Sequence, residues 1–321
     1  MALFTGRKHG RTASRAAVAA IAAALVATTA GTAVADGAAS AKDAAAEARQ
    51  HVKPTAKSQQ RSAPYASGFG AGAEHFELMA IDDIGTMWNY PPNGSGGFGE
   101  RVVNIPSGMK GVAEASQFDN DKDGYGDGFY FTATDGTLVH VKYREDGYGS
   151  DVKNLGGGWN TFNRVFTPGD LGGASNDDLL ARDKAGVLWL YTAKSDGSFT
   201  APVKLGAGWG AMTKIAGRGD LNGDGKADII AVDNSGMAWL YPGTGNWAAP
   251  FGNRVKLGGG WNTYNKLVGL GDLDNDGKAD LIGRDTSGGL WFYPGTGTTN
   301  GAPFKDRVKV GTGWNSIRVM F

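Results

Sequence analysis

The chain has 321 residues, 53 of them Gly, with 10% aromatics, no Cys and four His. These counts exclude disulfide frameworks, thiolate metal sites and cysteine nucleophiles, and they leave histidine-based triads few candidates. Four of the 32 basic residues (Arg7, Lys8, Arg11 and Arg15) lie within residues 1–35, which hold no acid; the remainder carries 28 basic against 32 acidic residues, a net charge of −4 and a poor footprint for nucleic acid.

Residues 1–35 read as a secretory signal peptide. A basic stretch precedes an apolar run over 16–26, and Ala33-Val34-Ala35 fits the small-x-small pattern of a cleavage site before Asp36. The run is short of the roughly 20 residues a spanning helix needs, so no membrane span is expected. The mature protein is expected to be secreted and extracellular. Residues 36–73 are Ala-rich with few large apolar residues, a composition that cannot bury enough surface to order itself. They are expected to form a disordered linker.

From residue 74 to 321 the sequence repeats with a period near 50. One marker is Asp-x-x-Gly-x-x-Trp, ending at Trp88, Trp189, Trp239 and Trp291, with an altered copy ending at Val139. The second is Gly-x-Gly-Trp, at Trp159, Trp209, Trp261 and Trp314, with Gly108-Met109 as its weak first copy. Each repeat holds about four short β-branched or alternating runs separated by Gly, Asp and Asn; in the last unit these are 264–269, 280–284, 290–293 and 307–310. Four strands per repeat describe a propeller blade. The Asp-x-x-Gly phrase belongs at a hairpin, where Asp supports the turn and Gly supplies positive φ. The last repeat runs one strand past Gly-x-Gly-Trp, and the first begins at Glu77 lacking that strand. The fold class expected is all-β: a five-bladed β-propeller, its ring closed by pairing of the N- and C-terminal strands.

Three loops carry metal-ligand chemistry. Asp220, Asn222, Asp224 and Asp228 stand at positions 1, 3, 5 and 9 of one loop, and Asp272, Asp274, Asp276 and Asp280 at those of a second. A Gly follows position 5 in each, and the carbonyls of Lys226 and Lys278 stand at position 7. Such oxygen-only shells suit Ca²⁺, and no Glu at position 12 or following helix makes an EF-hand. Asp119, Asp121, Asp123 and Asp127 repeat the spacing in a third loop. The equivalent 170–178 lacks carboxylates at positions 3 and 5. Ions held within one short loop are expected to be structural.

The phrase Gly-Asp-Leu-Asn-Gly-Asp-Gly-Lys-Ala-Asp-Ile-Ile at 219–230 resembles the VCBS/FG-GAP repeat. That family includes integrin-type propellers with calcium in these loops. Leu-Gly-Gly-Gly-Trp-Asn-Thr-Tyr at 257–264, with the period near 50, is similar to the five-bladed tachylectin-type lectins, which lack such loops. The resemblance implies a secreted glycan-binding propeller with sites between neighbouring blades.

Sugar recognition asks for an aromatic face flanked by amides or carboxylates. Trp159-Asn160, Trp261-Asn262 and Trp314-Asn315 fit, whereas Trp209 is followed by Gly210. The same Trp residues would equally serve to pack blade against blade. Weak sites in a ring gain strength on a dense glycan surface through effective concentration. The sequence therefore points to a monomeric, calcium-stabilised, lectin-like propeller binding cell-surface or extracellular glycans, without catalysis. An alternative is a protein-interaction propeller serving as a subunit of a secreted multi-protein complex, for example the targeting subunit of an antibacterial toxin. Its discriminating feature would be one asymmetric apolar patch on the ring. A glycoside hydrolase is less favoured, because the acids concentrate in loops and turns already accounted for.

Overall fold

The computed structural model describes residues 74–144, 149–298 and 303–321. The expected signal peptide (1–35) and linker (36–73) lie outside them. The described residues form five four-stranded antiparallel sheets. The first blade contains β1 (Leu78–Asp82), β2 (Met87–Tyr90) and β3 (Val102–Ile105). The second contains β4 (Val112–Phe118), β5 (Gly128–Ala133), β6 (Leu138–Tyr143) and β7 (Ser150–Asn154). The third contains β8 (Phe162–Gly169), β9 (Asp178–Asp183), β10 (Leu188–Tyr191) and β11 (Val203–Gly206). The fourth contains β12 (Met212–Ala216), β13 (Ile229–Asp233), β14 (Ala238–Tyr241) and β15 (Val255–Gly258). The fifth contains β16 (Tyr264–Gly271), β17 (Asp280–Asp285), β18 (Leu290–Tyr293) and β19 (Val308–Gly311).

The last strand, β20 (Ile317–Met320), completes the first blade. It pairs antiparallel with β1, placing Ala80 opposite Met320 and Ile81 opposite Val319. The ring is thus closed by the two ends of the repeat region, as their complementary lengths predict. Strands β20, β4, β8, β12 and β16 are innermost and approach one another around the axis.

Apolar residues do not gather in one central core. They form five clusters, one at each blade junction: Met87 and Ile105 of the first blade pack with Phe129 and Phe131 of the second, for example. The other four junctions repeat the arrangement. A blade alone has two faces to cover, and only its two neighbours cover them, which is why closure matters to every blade.

The antiparallel order sorts the connections onto two faces. Loops from the first to the second strand of a blade, and from the third to the fourth, share one face, called here the loop face. The Asp-x-x-Gly hairpins and the blade-to-blade connections share the opposite, turn face. In the first hairpin Gly85 adopts φ 87, a left-handed value that admits few residues but Gly. Asp82 accepts the backbone N–H of Thr86 at 2.8 Å, and its second oxygen accepts the Trp88 indole N–H, also at 2.8 Å. The same indole bond recurs from Trp189, Trp239 and Trp291 to Asp183, Asp233 and Asp285, at 3.0, 3.0 and 2.7 Å. The two ends of the motif therefore hold each other. In these four blades the pairing register slips beside the Trp, a bulge that the second blade, with Val139, lacks.

Candidate functional site

The acidic loops connect the first and second strands of their blades and lie on the loop face. In the 272–280 loop, oxygens of Asp272, Asp274 and Asp276 lie within 4.8 Å of one another. In the 119–127 loop the same holds for Asp119, Asp121 and Asp127, with Asp123 outside the group and accepting the N–H of Tyr125 at 3.0 Å. Ligands about 2.3–2.6 Å from a shared Ca²⁺ would sit at such separations. In the 220–228 loop Asp220 receives the N–H groups of Gly223 and Gly225, both at 2.6 Å, while Asn222 and Asp224 stand where Asp274 and Asp276 stand in the next blade.

Position 9 has a second duty that the sequence does not reveal. Asp228 accepts Leu221 N–H at 3.0 Å with one oxygen and Gly243 N–H at 2.7 Å with the other, so it clasps its loop to the hairpin between the third and fourth strands. Asp280 does the same between Leu273 and Gly295, at 2.8 and 2.7 Å. Asp178, in the loop that lost its middle carboxylates, clasps Leu171 and Ala193 at 3.0 and 3.2 Å. All three are fully buried, and burial pushes each carboxyl up to about 7. The loop shape is thus held by positions 1 and 9, and 170–178 keeps it without the rest.

The loop face is plugged at the axis. Arg218 is 3% exposed and bonds Glu74 and Asp177, each at 2.5 Å, while its guanidinium lies 3.9 Å from the Phe76 ring centre. Lys122 of the second-blade loop also bonds Asp177, at 2.5 Å. Burial first, then the charges of Glu74 and Asp177, raise Asp119 to about 7. Sequence spacing gave no sign of this network, because its members come from separate repeats and from the lead-in before β1.

The Gly-x-Gly-Trp residues line the blade junctions. Each Trp follows a left-handed Gly and opens a short 3-10 turn leading into the next inner strand. Each ring lies against a Tyr on the third strand of the blade that follows. The pairs are Trp159–Tyr191, Trp209–Tyr241, Trp261–Tyr293 and Trp314–Tyr90, with centroids 4.9, 4.7, 4.8 and 4.6 Å apart. Phe199, Phe251 and Phe304 flank the first three pairs, and Met109 takes the Trp position at the remaining junction. The Trp side chains therefore pack the junctions.

The copies are not equivalent. Trp261 and Trp314 are buried, whereas Trp159 and Trp209 are half-buried and keep part of their rings accessible. Asn160, Asn262 and Asn315 are all exposed and lie against the Gly of a neighbouring hairpin. The structure also adds arginines that lie outside the repeated motifs. Arg101, Arg254 and Arg307 stack on Trp88, Trp239 and Trp291 at 4.0–4.1 Å, and Arg254 bonds the Tyr241 hydroxyl at 3.3 Å. At the third-to-fourth blade junction this supplies polar groups beside Trp209, where the sequence offers only Gly210. The signal was available: Arg stands two residues before the fourth-strand residue paired to that Trp in three blades.

Residues 220–283, which span both complete acidic loops, match the family model of the FG-GAP-like repeat. No curated protein matches the chain. Among solved structures, an arginine-to-alanine mutant of AofleA from Arthrobotrys oligospora is 10% identical, covering 76% of this chain and 75% of that one with a TM-score of 0.45. BP39L lectin from Burkholderia pseudomallei is 14% identical, covering 77% of this chain and 69% of that one with a TM-score of 0.40. At these values neither likeness bears on function. The chain is a five-bladed β-propeller that carries FG-GAP-like repeat sequence.

Proposed function

We propose that this protein is a secreted, non-catalytic carbohydrate-binding propeller, stabilised by Ca²⁺ in its loops, that recognises glycans on cell surfaces or extracellular polymers. The observation that carries the proposal is the repeated Trp–Tyr pair at the blade junctions. A Trp lies against a Tyr with polar groups at the rim, in the chemical combination that stacks on sugar CH groups while bonding hydroxyls. The pairs that keep part of the Trp accessible are those of Trp159, with Asn160, and Trp209, with Tyr241 and Arg254. Trp261 and Trp314 serve packing, so two sites per chain are proposed. Absence of catalysis is supported by the acids themselves: those of loops and turns are committed to backbone N–H groups and indoles.

Ca²⁺ would be held by Asp220, Asn222 and Asp224, by Asp272, Asp274 and Asp276, and by Asp119, Asp121 and Asp127, with the carbonyls of Lys226 and Lys278 completing the first two. It would supply charge neutralisation and a rigid loop, and no chemistry. A glycan array probed with residues 36–321, with calcium and with EDTA, tests the reading. Binding that Trp209→Ala or Trp159→Ala removes without unfolding supports it; a folded protein that binds no glycan overturns it. A protein-partner reading has one observation in its favour. Trp247, in a single loop of the fourth blade, is 56% exposed and has no counterpart at the same position in the fifth.

A further inference from the structure

The two ends of the axis differ in charge balance. At the loop face Arg218 and Lys122 are matched by Glu74 and Asp177. At the turn face one position, near the start of each inner strand, reads Glu114, Arg164, Lys214, Lys266 and Val319 around the ring. Glu114 accepts a bond from Arg164 at 2.7 Å and lies 3.6 Å from Lys266. Glu114 and Lys266 belong to the second and fifth blades, which are not neighbours, so their contact spans the axis and sets this ring at the mouth of the central channel. Behind it a cavity of about 30 Å³ is bounded by Arg164, Ser116, Thr167 and residues of the other inner strands.

Three cations and one acid give the ring a net charge of +2. All four are half-buried. Lys214 bonds only the Thr213 hydroxyl, at 3.3 Å, and no acid pairs with it among the described residues. Arg182, Arg284 and Arg318 lie on the strands beside this ring and bond carbonyls at Trp209, Trp314 and Met109; none makes a close ion pair among the described residues, and the carboxylates that act on their charge are Glu114 for Arg182 and Asp83 for Arg284 and Arg318. Burial lowers Lys214, and it lowers Lys266 to about 8 against the pull of Glu114. Partly desolvated positive charge that the chain leaves unmatched is costly, and a bound anion relieves it. Cations at a channel mouth with low-dielectric walls also focus the field on one spot.

We propose that the axial mouth on the turn face binds the anionic group, carboxylate or phosphate, of an acidic glycan, seated between Lys214, Lys266 and Arg164. The glycan as carrier of that anion rests on the proposed function, whereas the anion site itself is separate from the junction Trp residues. Its test is calorimetric titration of residues 36–321 with an oligogalacturonate, with an uncharged oligosaccharide of equal length, and with inorganic phosphate, at low and high salt. The expected result is saturable binding of the oligogalacturonate that weakens with salt and falls about tenfold or more in Lys214→Gln/Lys266→Gln. Glu114→Gln should bind more tightly, a gain that a merely structural role would not give. Unaltered affinity in the double variant, equal binding of the uncharged oligosaccharide, or binding of inorganic phosphate alone would each overturn the proposal.

Discussion

His140 is 5% exposed, stacked on Phe118 at 4.9 Å and tilted against Tyr130 at 5.1 Å, and its Nε2 is buried without a hydrogen-bond partner among the described residues. Burial first, then the charges of Lys153 and Lys142, lower it to about 4 from an ordinary 6.5. Between those values the unfolded chain binds a proton that the folded chain refuses, so stability falls as pH drops through this window. His140→Phe should remove that slope. Melting curves from pH 4 to 6.5 should show the natural chain losing about 1 kcal/mol per pH unit relative to the variant, and parallel curves would contradict the assignment. A second residue-scale prediction concerns Trp261. Its burial against Tyr293 and Phe304 makes Trp261→Ala a stability variant, costing about 3–5 kcal/mol by cavity formation, with glycan binding retained in whatever remains folded. At this scale the sequence showed which residues recur but not which copies are covered. Exposure of Trp159 against burial of Trp261 depends on neighbours such as Tyr264, which stands where the third blade has Phe162 and the fourth Met212.

The acidic loop is the element whose parts separate most cleanly. Asp228 holds two buried N–H groups from distant parts of the blade, so Asp228→Ala should cost roughly 2–4 kcal/mol whether or not calcium is present. Asp224 bonds only the N–H of Lys226, so Asp224→Asn should leave the EDTA melting temperature unchanged and reduce the gain from added calcium. Equal losses for both variants in EDTA would show that the loop is held differently. The sequence made this element legible as a ligand pattern, because oxygen side chains at fixed spacing are a local property. It did not show the clasp to Gly243 and Gly295, since that partner lies 15 residues away on another connection. For the same reason 170–178 looked lost, although Asp170 and Asp178 keep its shape. Strands were read almost to the residue where Gly and Asp bound them: 290–293 was expected and Leu290–Tyr293 is found, while 264–269 extends to Gly271.

For the whole molecule, closure is the organising fact. Five junction clusters share the apolar surface, and the first blade is complete only when β20 lies beside β1. The plug at the loop face ties this closure to the axis, because Glu74, just before β1, is held by Arg218 of the fourth blade. Replacing Arg218 by Leu would leave buried Asp177 and Glu74 with Lys122 as their one remaining cation, and a loss of about 3–5 kcal/mol is expected in chemical denaturation. The closed ring was readable from the termini because each end of the repeat lacked what the other had. Neither the plug nor the cationic turn-face mouth was readable, since both arise from single positions of different repeats brought together only by the ring.

Carbohydrate recognition at the two open junctions is most directly tested by counting sites. Native mass spectrometry or calorimetry with an uncharged glycan identified on the array should give two molecules bound per chain. Trp159→Ala and Trp209→Ala should each remove one, and Trp314→Ala neither in the fraction that folds. A folded, calcium-loaded protein that binds glycan at a stoichiometry unaffected by both Trp159 and Trp209, or that binds none, would contradict the account.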